Sequence, residues 1–167
     1  MNKKVERNYL EINSVKDLRN VEAHSNKYIV QLIQKPNFQI NKFFYKNVGK
    51  KHHWVDRLSW TEKQWTEYTS SEKVQTFVLK ENEDLAGYFE IIFHSEHNEV
   101  EIAYLGLLEE YQNKKLGSFL LSSAIKNSFL FNPKRVWVHT CSLDHKNALN
   151  NYISRGMKVF KKESIFI

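Results

Sequence analysis

The chain has 167 residues, of which 41% are hydrophobic, including eleven Phe, eight Tyr and four Trp. This length and composition are typical of one globular domain with a substantial core, and they exclude a disordered or fibrous protein. The formal net charge of +6 favours a polyanionic partner: a nucleic acid, an anionic membrane or a phosphorylated small molecule.

The N-terminal part predicts two short strands followed by two helices. Residues 9–12 and 28–33 are rich in β-formers and predict strands. Residues 37–48 carry apolar side chains at helical spacing and are followed by Gly49, which predicts a helix that ends there. Thr61 is a candidate N-cap for a second helix.

Three strand-like segments follow in direct succession. Residues 74–80, 85–94 and 99–105 are typical of strands, and short polar turns separate them at 81–84 and 95–98. Strands joined by such short turns pair antiparallel, so this part predicts a three-stranded meander.

The third strand leads into a turn and a helix with the properties of a phosphate site. After a polar turn at residues 109–115, apolar residues recur at helical spacing from Leu116. A helix N-terminus reached from a strand favours a bound anion, and Lys114, Lys115 and Gly117 add charge and space there. The sequence lacks both the P-loop pattern and the three-glycine dinucleotide pattern.

The C-terminal part predicts a crossover strand, a helix and one or two last strands. Asn132 and Pro133 end the preceding helix, and residues 135–140 then form a strand, which a helical crossover makes parallel to the strand before it. Asp144 is a candidate cap for a helix that Gly156 ends, and residues 157–167 supply the last strands. The prediction is a mixed sheet with helices on it.

Two motifs in this order resemble the GNAT superfamily of acetyl-CoA-dependent N-acetyltransferases. Residues 112–117 read Gln-Asn-Lys-Lys-Leu-Gly and match the family's Q/R-x-x-G-x-G/A at its first and last positions, with Lys115 where a glycine is usual. Ala148, Tyr152 and Gly156 match a later signature, with Met157 in place of its usual Phe. Residues 45–49, 54–57, 86–90 and 143–145 resemble a bacterial GNAT subgroup whose acceptor is unknown.

The resemblance implies a fold and a domain organisation. The expected fold is α+β, with a mostly antiparallel twisted sheet that is splayed at the cofactor strand and has helices on both faces. Residues 1–167 are expected to form a single acyltransferase domain, with N-terminal strands and acceptor-side helices in 1–73 and the acetyl-CoA-binding core in 74–167.

The resemblance also implies catalytic and cofactor-binding residues. Glu101 is the candidate base for the amine, and Tyr152 is the candidate acid for the departing thiolate. The residues expected to bind the cofactor lie on the splayed strand, on the turn, on the helix start and before the last helix: Leu105, Gly106, Leu107, Gln112, Asn113, Lys114, Lys115, Leu116, Gly117, Ser118 and Asn147. The backbone N–H of Leu107 is expected to stabilise the oxyanion.

Aromatic and acidic side chains before the core segment are candidates for the acceptor site. Trp54, Asp56, Trp60 and Glu90 suit a cationic amine, because aromatic faces and carboxylates both attract cations. The alternative, that these aromatic residues belong to the core of the helical layer, stays open at this point. No metal site is predicted, since no third ligand accompanies the histidine pairs.

The function that the resemblance implies is transfer of an acetyl group from acetyl-CoA to a primary amine of a small molecule or peptide, by direct attack in a ternary complex. The alternatives are a non-catalytic acyl-CoA-binding sensor and a basic nucleic-acid-binding module. The expected partner is the amine acceptor, with no nucleic acid and no membrane, and a homodimer is left open. The single cysteine, Cys141, and the lack of a long apolar run predict a cytoplasmic protein.

Overall fold

The fold is built on one sheet of seven strands, and the computed structural model describes residues 2–167 of it. The strands and helices, in chain order, are β1 (Lys4–Ile12), β2 (Tyr28–Leu32), α1 (Phe38–Gly49), α2 (Glu62–Ser70), β3 (Val74–Glu81), β4 (Asp84–His94), β5 (Glu99–Leu107), α3 (Gly117–Phe129), β6 (Arg135–Cys141), α4 (Ala148–Ser154) and β7 (Lys158–Phe166).

The strand order across the sheet is β2-β3-β4-β5-β6-β1-β7. The meander β3–β4–β5 is antiparallel and the pair β5–β6 is parallel, as predicted from the order of the elements. Strand β1 is longer than predicted and lies between β6 and β7, antiparallel to both. The N-terminal strand therefore completes the sheet between two strands from the other end of the chain.

Helices cover both faces of the sheet, which confirms the expected α+β architecture. On one face, Leu120 and Ala124 of α3 pack with Val100 and Ile102 of β5 in the larger core cluster. On the other face, Phe44 of α1 stacks on Tyr88 of β4 at 4.7 Å in a second cluster. Thr61 does cap α2, in a reciprocal capping box with Gln64.

The strands β5 and β6 diverge soon after they meet. Their parallel pairing covers three residue pairs, from Glu99–Arg135 to Glu101–Trp137. Strand β5 also carries a bulge at Ala103, where its register with β4 shifts by one residue. Beyond Glu101 the two strands therefore leave a wedge-shaped gap, which is the splay that the family resemblance implies.

Helix α4 is shorter than predicted because Asp144 has a different role. The Asp144 carboxylate accepts hydrogen bonds from the Thr140 hydroxyl and from the Cys141 N–H, so it holds the turn at the end of β6. Helix α4 begins four residues later, at Ala148. The turn thereby places the first residues of α4 beside the gap.

Replacing Gly156 by alanine is expected to destabilise the fold by about 2–3 kcal/mol. Gly156 has a φ of +104°, and an added Cβ would overlap the carbonyl oxygen of Asp17. Urea denaturation of the variant measures this loss in the free energy of unfolding. Gly117→Ala is the control, since a Cβ there has no neighbour nearer than 3.7 Å; equal stability of the two variants would contradict the prediction.

Candidate active site

A cavity of about 800 Å³ occupies the gap between β5 and β6 and continues to the opposite face under the loop of residues 50–61. This volume lies within the range of small-molecule sites. Most of the residues predicted for the site line it: Trp54, Asp56, Glu101, Leu105, Gly106, Leu107, Gln112, Asn113, Lys115, Leu116, Gly117, Ser118, Asn147 and Tyr152. Lys114, Trp60 and Glu90 are not among the lining residues.

One end of the cavity is formed by the N-terminus of α3. Its N-cap residue, Leu116, makes no side-chain capping bond, so the first amides of the helix keep their hydrogen-bonding capacity. These amides and the helix dipole favour an anion. Lys115 lines the same end, whereas the ammonium of Lys114 lies 5.3 Å from the ring centre of Tyr111. Of the two lysines predicted to bind phosphate, Lys115 therefore lines the cavity and Lys114 does not.

The turn before α3 is held in an unusual backbone conformation. Asn113 and Lys115 both have a φ of +61°, in the left-handed region that favours glycine. This conformation agrees with the glycine that the resembled motif has at the position of Lys115. Lysine adopts this conformation at a cost of about 1–2 kcal/mol, so Lys115 retains the shape of the turn.

Replacing Gly117 by alanine is expected to weaken acetyl-CoA binding about tenfold or more without loss of stability. No protein atom lies in the way of the added Cβ, and alanine is the better helix former. A phosphate on the helix amides would meet that methyl group, and a tenfold loss corresponds to about 1.4 kcal/mol. Calorimetric titration with acetyl-CoA measures the affinity; unchanged binding would place the phosphates elsewhere.

The free edge of β5 faces the gap. The N–H of Leu108 donates to the carbonyl of Ala86 on β4, at 2.9 Å. Because N–H directions alternate along a strand, the N–H and C=O of Leu107 point away from β4. The side-chain amide of Gln112 reaches this edge and donates to the Leu107 carbonyl at 3.4 Å. The edge can therefore pair with an extended amide, as an added strand would.

Tyr152 enters the gap from α4. Its ring packs in the larger core cluster with 8% of the residue exposed, while its side chain also lines the cavity. Burial, and then the negative charge of Asp144, raise the pKa of the Tyr152 hydroxyl well above its ordinary value. The hydroxyl is therefore a protonated donor at neutral pH.

Glu101 lies at the last residue pair before the strands diverge. Its Oε1 atom is 2.9 Å from Nε2 of His94, and Nδ1 of His94 is 3.7 Å from the exposed carboxylate of Glu96. Glu99, on the same face, is instead bound by Arg135 at 2.9 Å. The two carboxylates that share a strand face thus have different partners, and Glu101 is the one in the cavity.

His139 lies in the cavity wall on the same side. Burial, and then the positive charge of Arg7, lower the pKa of His139 below its ordinary value of 6.5. Its ring is therefore neutral near pH 7, and it packs between Trp137 and Tyr9. Neither His94 nor His139 was among the residues predicted for the site, because isolated histidines on strands carry no spacing signal.

The proposed acceptor residues divide into two pairs. Trp54 and Asp56 line the cavity, but the carboxylate of Glu90 is completely buried and is bound by Arg57, Asn41 and Tyr68. Glu90 is therefore not available to a substrate, which corrects the prediction from the sequence. It lies on a central strand whose two faces are both covered by helices.

Trp60 also belongs to the protein's packing. Its ring lies 4.9 Å from that of Trp65 and 4.6 Å from the guanidinium of Arg57. The alternative interpretation, that the aromatic residues form the core of the helical layer, therefore holds for Trp60. Arg57, whose guanidinium lies at the centre of these rings, lines the cavity. It was not among the residues predicted for the site.

The loop of residues 50–61 is attached to both sides of the gap. Lys51 forms an ion pair with Glu109, after the end of β5. Nδ1 of His52 lies 3.2 Å from the carbonyl oxygen of Leu143, after the end of β6. The loop therefore bridges the two diverging strands and covers the cavity.

Among residues 2–167, no three His, Cys, Asp or Glu side chains are grouped closely enough to hold a metal ion. In the same residues, every helix is too short or too polar to cross a membrane.

A model of the Acetyltransferase (GNAT) family matches residues 28–157 of the chain. No curated protein is similar in sequence at a significant level. The fold is similar to a GCN5-related N-acetyltransferase from Sphaerobacter thermophilus, with a TM-score of 0.70 and 11% identity over 99% of this chain and 51% of that one.

Two other solved structures have the same fold. A functionally unknown conserved protein from Staphylococcus epidermidis gives a TM-score of 0.67 and 17% identity over 99% of this chain and 62% of that one. A spermidine N-acetyltransferase from Vibrio cholerae, solved in complex with CoA and spermine, gives a TM-score of 0.63 and 16% identity over 85% of this chain and 96% of that one. The chain thus spans 51–62% of the length of the Sphaerobacter and Staphylococcus proteins.

Proposed function

The chain belongs to the GNAT family of acetyltransferases, and from this premise we propose that it transfers an acetyl group from acetyl-CoA to a primary amine of a small molecule or peptide. The observation that carries the proposal is the single cavity that joins an uncapped helix N-terminus, a free strand edge, Tyr152 and Glu101. The transfer forms a C–N bond, breaks the thioester C–S bond and moves one proton from the amine to the sulfur.

Acetyl-CoA fits the residues at the α3 end of the cavity. Its phosphates would lie on the first amides of α3 beside Lys115, where the helix N-terminus is uncapped. Its pantetheine amides would pair with the edge of β5 at Leu105 and Leu107. When bound there, acetyl-CoA supplies the activated acetyl group.

The acceptor amine has to lose a proton before it can attack. An alkylamine has a pKa of about 10, so at neutral pH most of it is protonated. Glu101 lines the cavity on the acceptor side and is the proposed base. Nε2 of His94 orients the carboxylate, and Nδ1 of His94 lies 3.7 Å from the exposed Glu96, so a proton would pass to solvent from here through a bridging water.

The departing thiolate needs a proton in return. Tyr152 is the proposed donor, because burial keeps its hydroxyl protonated and its side chain lines the gap. A thiol has a pKa of about 8.5 and a phenol one of about 10, so this transfer is uphill, and the raised pKa of Tyr152 makes it more so. The transfer is completed because the C–S bond breaks in the same step and the proton that the amine nitrogen loses on forming the amide returns to Tyr152. Close placement of the two groups then limits the distance that the proton has to travel.

Thiol release from acetyl-CoA, measured across a panel of amines, tests the proposal. A thiol-reactive dye detects free CoA, and mass spectrometry of the product confirms an acetamide. Amine-dependent release supports the acetyltransferase. A rise in melting temperature with acetyl-CoA, but no release with any amine, would favour the non-catalytic sensor. Stabilisation by nucleic acid and not by acetyl-CoA would favour the basic binding module.

A further inference from the structure

Arg57 is a buried arginine in the wall of the proposed acceptor site. It is 6% exposed, and its Nη1 atom donates to both carboxylate oxygens of Glu90, at 3.2 and 2.9 Å. The guanidinium plane is held between aromatic rings, with the ring centres of Tyr68 and Tyr104 at 4.1 and 4.3 Å. Its orientation is therefore set by an ion pair and by stacking together.

The carboxylate that holds Arg57 is itself fully engaged. Oε1 of Glu90 also accepts from the side-chain amide of Asn41 at 2.8 Å, and Oε2 accepts from the hydroxyl of Tyr68 at 3.0 Å. Asn41 is fixed in turn by a bond to Thr76 at 2.8 Å. Such a saturated network positions the guanidinium before any ligand arrives.

Glu90 engages one of the two terminal nitrogens of the guanidinium. Nη1 donates to Glu90, and the Tyr68 hydroxyl is also within hydrogen-bonding reach of the guanidinium, whereas Nε and Nη2 have no other hydrogen-bond partner among residues 2–167. Nε and Nη2 form the side-on edge of the guanidinium, and its parallel N–H donors match the two oxygens of a carboxylate. Arg57 lines the cavity, so a ligand there can approach its guanidinium.

We propose that the acceptor amine also carries a carboxylate and that this carboxylate binds the Nε–Nη2 edge of Arg57. This inference rests on the proposed acetyl transfer and deepens it by naming the acceptor as an amino acid or a small peptide. In such a zwitterion the ammonium faces Glu101 or Asp56, and the carboxylate faces Arg57.

The other charges on the acceptor side agree with a zwitterion. Arg7 also lines the cavity, and its partner Glu163 is 3.6 Å away. A linear polyamine would place a second ammonium near Arg57 or Arg7, where like charges repel. The neighbouring fold from Vibrio cholerae was solved with spermine, so this site predicts a different acceptor from that of the polyamine enzyme.

The test compares matched acceptors on the unmodified protein. Free amino acids, dipeptides, the corresponding amino-acid carboxamides and spermidine are each assayed for CoA release. We expect the acids to exceed their carboxamides by about 30- to 100-fold in kcat/KM, the range for a charge-assisted hydrogen-bonded pair. A carboxamide lowers the basicity of the neighbouring amine, so more of it is free to attack. A preference for the acid therefore runs against the intrinsic reactivity, and the dipeptides separate amino acids from peptides as the source of the carboxylate.

The variant Arg57→Lys assigns the preference to Arg57. It retains a charge near Glu90 but loses the two-pronged edge, so we expect the ratio of acid to carboxamide to fall to within about threefold of unity. The exposed lysine of α2 gives a control, Lys63→Gln, with an unchanged ratio. Melting temperature and acetyl-CoA affinity show whether the variant is folded, and if it is not, the comparison on the unmodified protein decides.

Three results would overturn the inference. Equal or better turnover of carboxamides or spermidine by the unmodified protein would remove the carboxylate from the acceptor. An acid preference that persists in folded Arg57→Lys would remove Arg57 from its recognition. Acetyl-CoA binding with no turnover of any amine would overturn both the proposed function and this inference. Turnover only of amines that lack a carboxylate would overturn this inference but not the proposed function.

Discussion

Replacing Tyr152 by phenylalanine is expected to lower kcat about 100-fold while leaving the affinity for acetyl-CoA unchanged. The ring belongs to the larger core cluster, so phenylalanine preserves the packing and removes the hydroxyl alone. Burial raises the pKa of this hydroxyl. It therefore stays protonated through at least pH 9, where the group would still serve as an acid.

Tyr28→Phe is the matched control for this prediction. Tyr28 is 6% exposed and belongs to the same core cluster, but it is not among the residues that line the cavity. Its hydroxyl can therefore be removed without affecting a proton donor. Rates for Tyr152→Phe within twofold of the unmodified protein, at equal melting temperature, would assign protonation of the thiolate to solvent or to another group.

Local patterns were sufficient to predict most of the elements. The meander, the crossover strand and the helix start at Leu116 follow from period-two and helical spacing with turn residues between them. Each of these signals lies within about a dozen consecutive residues, which is the range over which dihedral preferences and side-chain periodicity act. The parallel direction of β6 then follows from the handedness and length of a helical crossover.

The place of β1 in the sheet could not be predicted in this way. It pairs with β6 and β7, whose residues follow it by more than 120 positions, as in the pair Arg7–Cys141. Nothing in the alternation of residues 4–12 distinguishes this position from the outer edge next to β2. Such long-range pairing depends on which exposed edge the completed core offers, and that is a property of the whole fold.

The prediction that Glu90, in the centre of the sheet, contacts the acceptor was also wrong. Glu90 ends a run, Ala86-Gly87-Tyr88-Phe89-Glu90, that is buried on both faces because helices cover both. A carboxylate on a strand is usually exposed, and it tolerates complete burial only with a cation and further donors. The partners Arg57 and Asn41 lie more than 30 residues earlier, so the network is visible only in three dimensions.

The same burial connects the fold to the proposed acceptor recognition. Arg57 is held by Glu90, and Glu90 by helices α1 and α2 through Asn41 and Tyr68. The helices on this face thus set the position of a cavity-lining cation, while α3 and α4 on the other face supply the uncapped helix amides and Tyr152. Both sides meet where β5 and β6 diverge, at Glu101.

Replacing Glu101 by glutamine is expected to lower kcat/KM about 100-fold at pH 7. Glutamine fills the same space and still bonds to His94, but it cannot take a proton from the amine. The defect should shrink as the pH rises from 7 to 9, because a growing fraction of an amine with a pKa of about 10 is then already deprotonated. A pH series of kcat/KM with one amine of known basicity measures both effects.

Glu99→Gln is the control, because Glu99 lies on the same strand face but is bound to Arg135 outside the cavity. The variant His94→Gln keeps Glu101 but removes the imidazole ring that lies between Glu101 and Glu96. We therefore expect an intermediate loss in kcat with unchanged affinity for acetyl-CoA. A loss in Glu101→Gln that stays constant from pH 7 to 9 would mean that the carboxylate binds the acceptor as an ion pair and does not accept its proton. Equal losses in Glu99→Gln and Glu101→Gln would instead assign both effects to the structure of β5.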